Sequence, residues 1–144
     1  MAEAGLLAED IRVELVNGEL VDRAPISSLH AGTVKRLMNL LAFALYGQAI
    51  VAAQDPVILD AHSELQPDIA VLKLRNDYYT ASHPRPEDLL LLIEVSDSTV
   101  RYDREVKTPL YARAGITEVW LMDLPNRQLE IYRDPSLEGY RQIL

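Results

Sequence analysis

An aliphatic run, Leu89 to Ile93, constrains the fold more than any other feature of the sequence, and it continues through Glu94 and Val95. Successive side chains of a strand point to opposite faces of a sheet, so this run would be apolar on both faces. It is far shorter than the ~20 apolar residues that a membrane-spanning helix needs. The run therefore predicts a central strand in a sheet that is covered on both sides.

A tight hairpin is predicted near the N-terminus, where Asn17-Gly18 separates two short apolar runs. This dipeptide is a strong hairpin signal because both turn residues need a positive φ. The resulting register sets Glu14 opposite Val21. We expect a flexible or helical segment over residues 1–10 before this hairpin.

The remaining pattern predicts a helix and further strands in one α/β domain over residues 1–144. The helix runs from Ser27 or Ser28 to about Tyr46, where apolar residues recur at three- and four-residue steps. The chain ends in an apolar stretch, which indicates a truncated C-terminus or a strand paired at an interface. The other predicted strands are Ile50 to Ala52, Val57 to Leu59, Ile69 to Leu72, Glu118 to Asp123, Gln128 to Tyr132 and Tyr140 to Leu144.

A second helix is predicted from about Thr99 to Arg113, ending at Gly115. Pro109 lies inside this segment. Proline removes a backbone hydrogen bond and clashes with the preceding turn of a helix. We therefore expect a kink or a short 3₁₀ stretch near Lys107.

Composition excludes several classes of protein. The chain has no cysteine, which excludes disulfides, thiolate zinc sites and cysteine nucleophiles. No signal peptide or membrane span is recognisable, so we expect a cytoplasmic protein with no membrane association. A formal net charge of −8 argues against a protein that coats nucleic acid, although the segment from Arg101 to Arg113 is locally basic.

Two carboxylates stand at matching ends of predicted strands. Asp68 precedes one strand and Glu94 lies near the end of the central strand, so the two converge if these strands are neighbours. Two nearby acids repel each other, and a hard divalent cation such as Mg²⁺ relieves that repulsion. Lys107 follows on a helix that packs over the sheet. Two acids and a lysine around a cation are suited to phosphodiester hydrolysis, in which the cation activates water and the ammonium stabilises charge on the phosphate.

These residues resemble a known family. Pro67-Asp68 followed by Glu94 is similar to the PD-(D/E)xK nuclease superfamily, and within it the family of Uma-two type, described as "putative restriction endonuclease", resembles the chain more closely. The resemblance implies a restriction-endonuclease-like mixed β-sheet flanked by helices. It also implies a Mg²⁺-dependent endonuclease that acts on DNA, with Mn²⁺ able to substitute. The matching residues are Glu14 to Glu19, Ser28 to His30, Glu94 to Thr99, Tyr102, Asp103, Lys107, Tyr111, Gly115, Glu118 and Trp120 to Asp123.

The resemblance also implies roles for individual residues. Asp68 and Glu94 would be metal ligands, with the carbonyl of Val95 as a third. Lys107 would position or activate the attacking water. The superfamily's plain pattern has its lysine two residues after the acid, where this chain has Ser96. The resemblance therefore implies that the ammonium comes from the following helix instead.

Further residues have weaker assignments. Glu14 matches a family glutamate that binds the metal through water or holds the lysine, and His30 matches a position of uncertain role. Arg101 and Arg104 are the predicted phosphate contacts. A homodimer or higher homo-oligomer is expected, because cutting both strands of DNA needs two sites.

Each predicted site residue has a structural alternative. Asp68 could cap a turn before its strand, and Glu94 could form a structural ion pair with Lys107 or Arg101. Lys107 could instead pair with Asp103 four residues earlier on an exposed helix, which contributes only ~0.3–0.5 kcal/mol. Glu14 on an edge strand would ordinarily be solvated.

Other residues and the function as a whole also have alternatives. Tyr111 and Trp120 are expected in the core. The histidines share no metal-ligand spacing and are expected on the surface. The alternative function is a non-catalytic module that keeps a nuclease fold for oligomerisation or partner binding. The three histidines are His30, His62 and His83.

Overall fold

The computed structural model describes residues 13–144, so the expectation for residues 1–10 lies outside the described residues. Within them, no helix is long and apolar enough to cross a membrane. The strands are β1 (Val13–Val16), β2 (Glu19–Asp22), β3 (Ile50–Ala52), β4 (Val57–Asp60), β5 (Ser63–Leu65), β6 (Ile69–Leu72), β7 (Leu89–Ser96), β8 (Glu118–Asp123), β9 (Gln128–Ser136) and β10 (Gly139–Ile143).

The helices lie between these strands. The long helix α1 ends two residues before the predicted Tyr46. The segment between β7 and β8 is one continuous helical stretch with a change of winding in its middle. The helical elements are α1 (Ser28–Ala44), a 3₁₀ turn (Pro86–Asp88), α2 (Val100–Tyr102), a π-helical segment (Asp103–Lys107) and α3 (Thr108–Arg113).

The strands form two sheets. A six-stranded sheet has the order β10-β9-β8-β7-β6-β3, and a four-stranded sheet has the order β2-β1-β5-β4. In the larger sheet only β7 and β8 run parallel, since they are joined by the helical crossover α2–α3. This mixed sheet flanked by helices confirms the predicted fold class.

Strand β7 is the centre of the larger sheet, which confirms the interpretation of the aliphatic run. Leu92 is fully buried in a cluster with Leu110 of α3. Ile93, on the opposite face, is fully buried in a second cluster with Val34 of α1. Both faces of β7 are therefore covered. A strand with alternating polar and apolar residues would bury its polar side chains in such a position.

The antiparallel pairing of β6 with β7 brings two sequence-distant segments together. Ile69 lies opposite Ile93. Continuing this register by one residue sets Asp68, just before β6, beside Glu94 near the end of β7. The start of one strand and the end of its neighbour thus meet at the same edge of the sheet.

The N-terminal hairpin is confirmed, with Glu14 opposite Val21 as predicted. Asn17 and Gly18 both have positive φ, at 51° and 85°. The hairpin joins the smaller sheet through β5, a strand that the sequence analysis missed. This strand has only three residues, too few to show a periodicity.

Of the two alternatives predicted near Lys107, a kink or a short 3₁₀ stretch, the 3₁₀ stretch is wrong. The stretch from Asp103 is π-helical, a wider winding than 3₁₀. The N–H of Thr108 reaches the carbonyl of Asp103, five residues earlier, and the Thr108 hydroxyl donates to the same oxygen at 2.8 Å. Pro109 has no backbone N–H to donate to the preceding turn, and its ring clashes with a carbonyl of that turn in a regular α-helix. The wider π-helical turn moves the preceding carbonyls away from the ring.

Truncation of Leu92 should test whether β7 is buried on both faces. Leu92→Ala should lower the free energy of unfolding by about 2–5 kcal/mol, because it leaves a cavity in a closed core. Leu90→Ala, on the same strand but 44% exposed, should cost much less. Urea unfolding of the two variants measures this difference, and equal losses would contradict the burial described.

Candidate functional site

A pocket of about 480 Å³ opens where β6 and β7 meet. One wall comes from the segment 21–30, between the hairpin and the first turn of α1. The opposite wall comes from the segment 97–107, which includes the π-helical turn. Three carboxylates and a strand end form the floor: Glu14, Asp68, Glu94 and Val95.

Ser27 ties the two walls together. It is the N-cap of α1, where its hydroxyl oxygen accepts from the backbone N–H of His30 at 3.1 Å. The same hydroxyl donates to Oδ2 of Asp97 at 2.8 Å. A capping residue that would ordinarily serve only its own helix therefore also holds the loop after β7 in place.

Asp68 and Glu94 lie together on the floor, as the pairing of their strands requires. They are 2% and 1% exposed. The backbone N–H of Val95 donates to Oδ2 of Asp68 at 2.8 Å. The N–H of Asp68 reaches Oε1 of Glu94 at a long 3.5 Å, so this oxygen keeps most of its capacity to accept.

Lys107 is buried against two carboxylates. Its Nζ lies 2.7 Å from Oε2 of Glu94 and 3.2 Å from Oε2 of Glu14. The alternative of an exposed pair with Asp103 does not describe this side chain, which is 2% exposed. The alternative of a structural ion pair with Glu94 has the geometry it needs and stays open.

Glu14 is 3% exposed, so the alternative of a solvated edge carboxylate does not describe it. Pairing with β5 covers the strand that carries it. Oε2 of Glu14 also accepts from the backbone N–H of Gln66 at 2.8 Å. The hairpin thus supplies a second carboxylate that contacts Lys107, in addition to Glu94 of β7.

Tyr111 lies in the core, as predicted, and its hydroxyl donates to Oε2 of Glu94 at 2.5 Å. The helix ends just beyond it in a Schellman motif, in which Gly115 has a φ of 85° and the N–H of Ile116 reaches the Tyr111 carbonyl. The Tyr111 hydroxyl and the Lys107 ammonium therefore contact the same oxygen of Glu94, Oε2.

The π-helical segment places one more acid beside the pocket. Oδ2 of Asp103 accepts from the hydroxyls of Ser96 at 2.5 Å and Thr99 at 2.9 Å. Asp103 is 6% exposed. Ser96, at the place of the superfamily's lysine, therefore anchors this acid.

The structure brings two further side chains to Asp68. Nε2 of His30 lies 3.1 Å from Oδ1 of Asp68, so the expectation that His30 is a surface residue is wrong, whereas His62 and His83 are exposed. Arg23, which the sequence analysis did not single out, reaches the same oxygen with Nη2 at 3.4 Å. Its partner Asp68 is 45 residues away, so no local pattern marks it.

Arg101 and Arg104 lie away from the carboxylates. The Arg101 side chain is 88% exposed and pairs with Glu105. Arg104 pairs with Glu130 at 2.6 Å and with Asp123 at 3.3 Å. The structure does not bring either arginine into the pocket lining, and their role as phosphate contacts stays a prediction.

Burial makes the charges of this site strongly interdependent. Burial raises the pKa of Glu94 to about 8, and the carboxylates of Asp68 and Asp103 add to this although Lys107 opposes it. Burial would also raise the pKa of Asp68, but hydrogen bonds from His30 and from the Val95 N–H hold it below its usual value. The pKa of Glu94 is therefore raised while the pKa of Asp68 is lowered, although the two carboxyl groups are neighbours.

The charge balance of the pocket fits a divalent cation. Burial acts to lower the pKa of Lys107, but Glu94 and Glu14 raise it, so the ammonium stays charged. Four buried acids of the pocket then face two permanent cations, an excess of two negative charges when all are ionised. The buried acids are Glu14, Asp68, Glu94 and Asp103, the cations are Arg23 and Lys107, and the less buried Asp22 and Asp97 also line the pocket.

The donor atoms also fit Mg²⁺. Within residues 13–144 no group of three His, Asp or Glu side chains is arranged so that it could hold a metal ion by itself. Mg²⁺ is commonly held by only one or two carboxylates, with waters and substrate phosphates completing its shell. Asp68 and Glu94 supply such a pair, and Oε1 of Glu94 has spare accepting capacity.

Removal of the ammonium should destabilise the fold. Lys107→Met leaves Glu94 and Glu14 buried without their cation, which should lower the free energy of unfolding by about 3–5 kcal/mol. Arg101→Met removes an exposed pair worth about 0–1 kcal/mol and is the matched control. Urea unfolding in chelator measures both, and a Lys107→Met protein as stable as the control would contradict the pairing.

The comparisons with known proteins agree with the resemblance. A crystal structure described as a "putative nuclease belonging to DUF820", from Anabaena variabilis ATCC 29413, has a TM-score of 0.69 to this chain at 15% identity, covering 92% of this chain and 75% of that one. At this identity the likeness shows a shared fold. No curated protein matches the sequence.

The sequence profile of the Uma2 family, described as "Putative restriction endonuclease", matches residues 3–143. The description of this family supports a nuclease function in general terms. This match covers most of the chain and confirms the resemblance read from its residues. The chain therefore belongs to the Uma2 family.

Proposed function

We propose that the protein is a Mg²⁺-dependent endonuclease that hydrolyses phosphodiester bonds in DNA. One observation carries the proposal: two buried carboxylates converge on one edge of the sheet, with the Lys107 ammonium 2.7 Å from Glu94. Family membership supports the same chemistry. Phosphoryl transfer depends mainly on positioning and on stabilising charge, which such a cluster supplies.

Asp68 and Glu94 are the side chains that would hold Mg²⁺, with the Val95 carbonyl as a third ligand. All three line the same pocket. Bound there, Mg²⁺ supplies Lewis-acid stabilisation of charge on the phosphate and lowers the pKa of water. His30, at 3.1 Å from Oδ1 of Asp68, orients that carboxylate from outside the ligand set.

The remaining residues hold the reacting groups. Lys107 is positioned to orient the attacking water and to offset the charge that grows on the phosphate as the new P–O bond forms and the ester bond breaks. Glu14 also contacts the ammonium. The Tyr111 hydroxyl keeps Glu94 in one orientation. None of these side chains is exposed, so their geometry is set before substrate arrives.

We also propose a homodimer, because one active site cuts one strand at a time. Strand β10 is paired with β9 on one side and forms the outer edge of the larger sheet. An edge strand offers unpaired backbone groups to a second copy. Light scattering coupled to size exclusion measures this state directly.

Loss of a floor carboxylate should abolish both cation binding and cleavage. In Asp68→Asn we expect the affinity for Mg²⁺ and Mn²⁺ to fall by at least ~100-fold, because even outer partners of a metal contribute ~10–100-fold. Titration calorimetry measures the affinity, and nicking of supercoiled plasmid with and without cation measures the activity.

Asp134→Asn is the matched control, since it makes the same change at a half-exposed acid that pairs with Arg141. It should bind cation and nick plasmid as wild type does. Wild type that binds neither cation and leaves plasmid intact would overturn the proposal. The cluster would then be a structural ion-pair network, and the fold a non-catalytic module for oligomerisation or partner binding.

A further inference from the structure

Arg23 is the pocket cation whose hydrogen-bonding capacity is least used. A guanidinium carries five N–H donors. Nη2 of Arg23 makes one long hydrogen bond to Asp68 at 3.4 Å, and Nε lies 3.7 Å from Oε2 of Glu14. Nη1 is buried and has no hydrogen-bond partner. A buried donor without an acceptor is costly, so such a group calls for a partner from outside the chain.

The position of Arg23 restricts what that partner can be. Its side chain is 10% exposed and lies on the pocket wall between β2 and α1. The carboxylates around it, Glu14 first among them, raise its pKa although burial acts to lower it, so the group is a permanent cation. The missing partner is therefore a hydrogen-bond acceptor, and an anionic acceptor would bind this cation more strongly than a neutral one.

The other pocket cation cannot take this role as readily. Lys107 has two carboxylate oxygens within 3.2 Å, and both are buried with it. Arg23 has only the longer contacts. Its planar fork also matches a phosphate with two parallel N–H donors, which an ammonium lacks.

We propose that the guanidinium of Arg23, which lines the pocket and carries the unpaired Nη1, turns this nitrogen toward the pocket and binds a phosphate of the nucleic acid substrate beside the Asp68 and Glu94 carboxylates. This inference rests on the proposed function and assigns a residue that contacts substrate. It gives the pocket the phosphate contact that Arg101 and Arg104, both paired outside the pocket, do not supply in this structure. It also places positive charge where a chain of net charge −8 must receive a polyanion.

The test measures binding of a labelled short DNA duplex by fluorescence anisotropy, with Ca²⁺ in place of Mg²⁺, over about 50–300 mM salt. Arg23→Gln should weaken binding about tenfold and make the slope of log K against log salt shallower by about one, since one phosphate contact is lost. Arg23→Lys should keep the slope and weaken binding less. Arg141→Gln, a 67% exposed arginine on β10, is the control and should match wild type.

The outcomes separate this inference from the proposed function. Wild type that binds the duplex but does not nick plasmid in Mg²⁺ would overturn the activity, and the slope comparison would still decide the role of Arg23. An unchanged slope in Arg23→Gln, or a loss no greater than in Arg141→Gln, would overturn the role of Arg23 alone. Wild type that does not bind DNA would overturn both.

A purely structural role for Arg23 predicts a different result. In that case Arg23→Gln would have a lower free energy of unfolding, while the salt slope of DNA binding by the folded protein would stay unchanged. This result would also overturn the inference. Urea unfolding of each variant supplies this second readout. If Arg23→Gln does not fold, Arg23→Lys decides: the phosphate contact predicts weaker binding of the duplex than wild type, and equal binding overturns it.

Discussion

The contact between Glu94 and Lys107 is the interaction on which the rest of this structure depends. A carboxylate that is itself buried, near the end of an aliphatic strand, is costly to keep ionised without a partner. Its partner must come from outside the sheet, and the crossover between β7 and β8 is the segment that passes over it. The π-helical turn from Asp103 aims Lys107 inward, and the hairpin supplies Glu14 as a second carboxylate beside the ammonium.

The same cluster makes the site a compromise between stability and chemistry. Four buried acids against two permanent cations give the pocket a negative charge when all are ionised, and burial strengthens the repulsion between the acids. Burial and neighbouring acids together push the pKa of Glu94 to about 8. A core built only for stability would hold apolar residues here, so the cost of this arrangement is consistent with a site that is completed by a cation and a phosphate.

Elements with a strong local signal were predictable, and elements that depend on distant contacts were not. The hairpin follows from the two positive-φ residues Asn17 and Gly18, and the position of β7 follows from its two apolar faces. Strand β5 has three residues and exists because β1 and β4 lie on either side of it. Near Pro109 a kink or a short 3₁₀ stretch was predicted, and the 3₁₀ alternative is wrong, because proline indicates a disturbance without saying whether the turn tightens or widens.

For the site itself, the sequence by itself determined which residue types stand at the ends of β6 and β7 and that Lys107 follows on a helix. Periodicity and turn chemistry act over a few residues, so they carry that information locally. Only the tertiary structure decided that Glu14 and His30 are buried and that Arg23 faces Asp68 while Arg101 and Arg104 face elsewhere. Burial and ion pairing depend on contacts between segments far apart in the chain, and a single sequence holds no direct record of those distances.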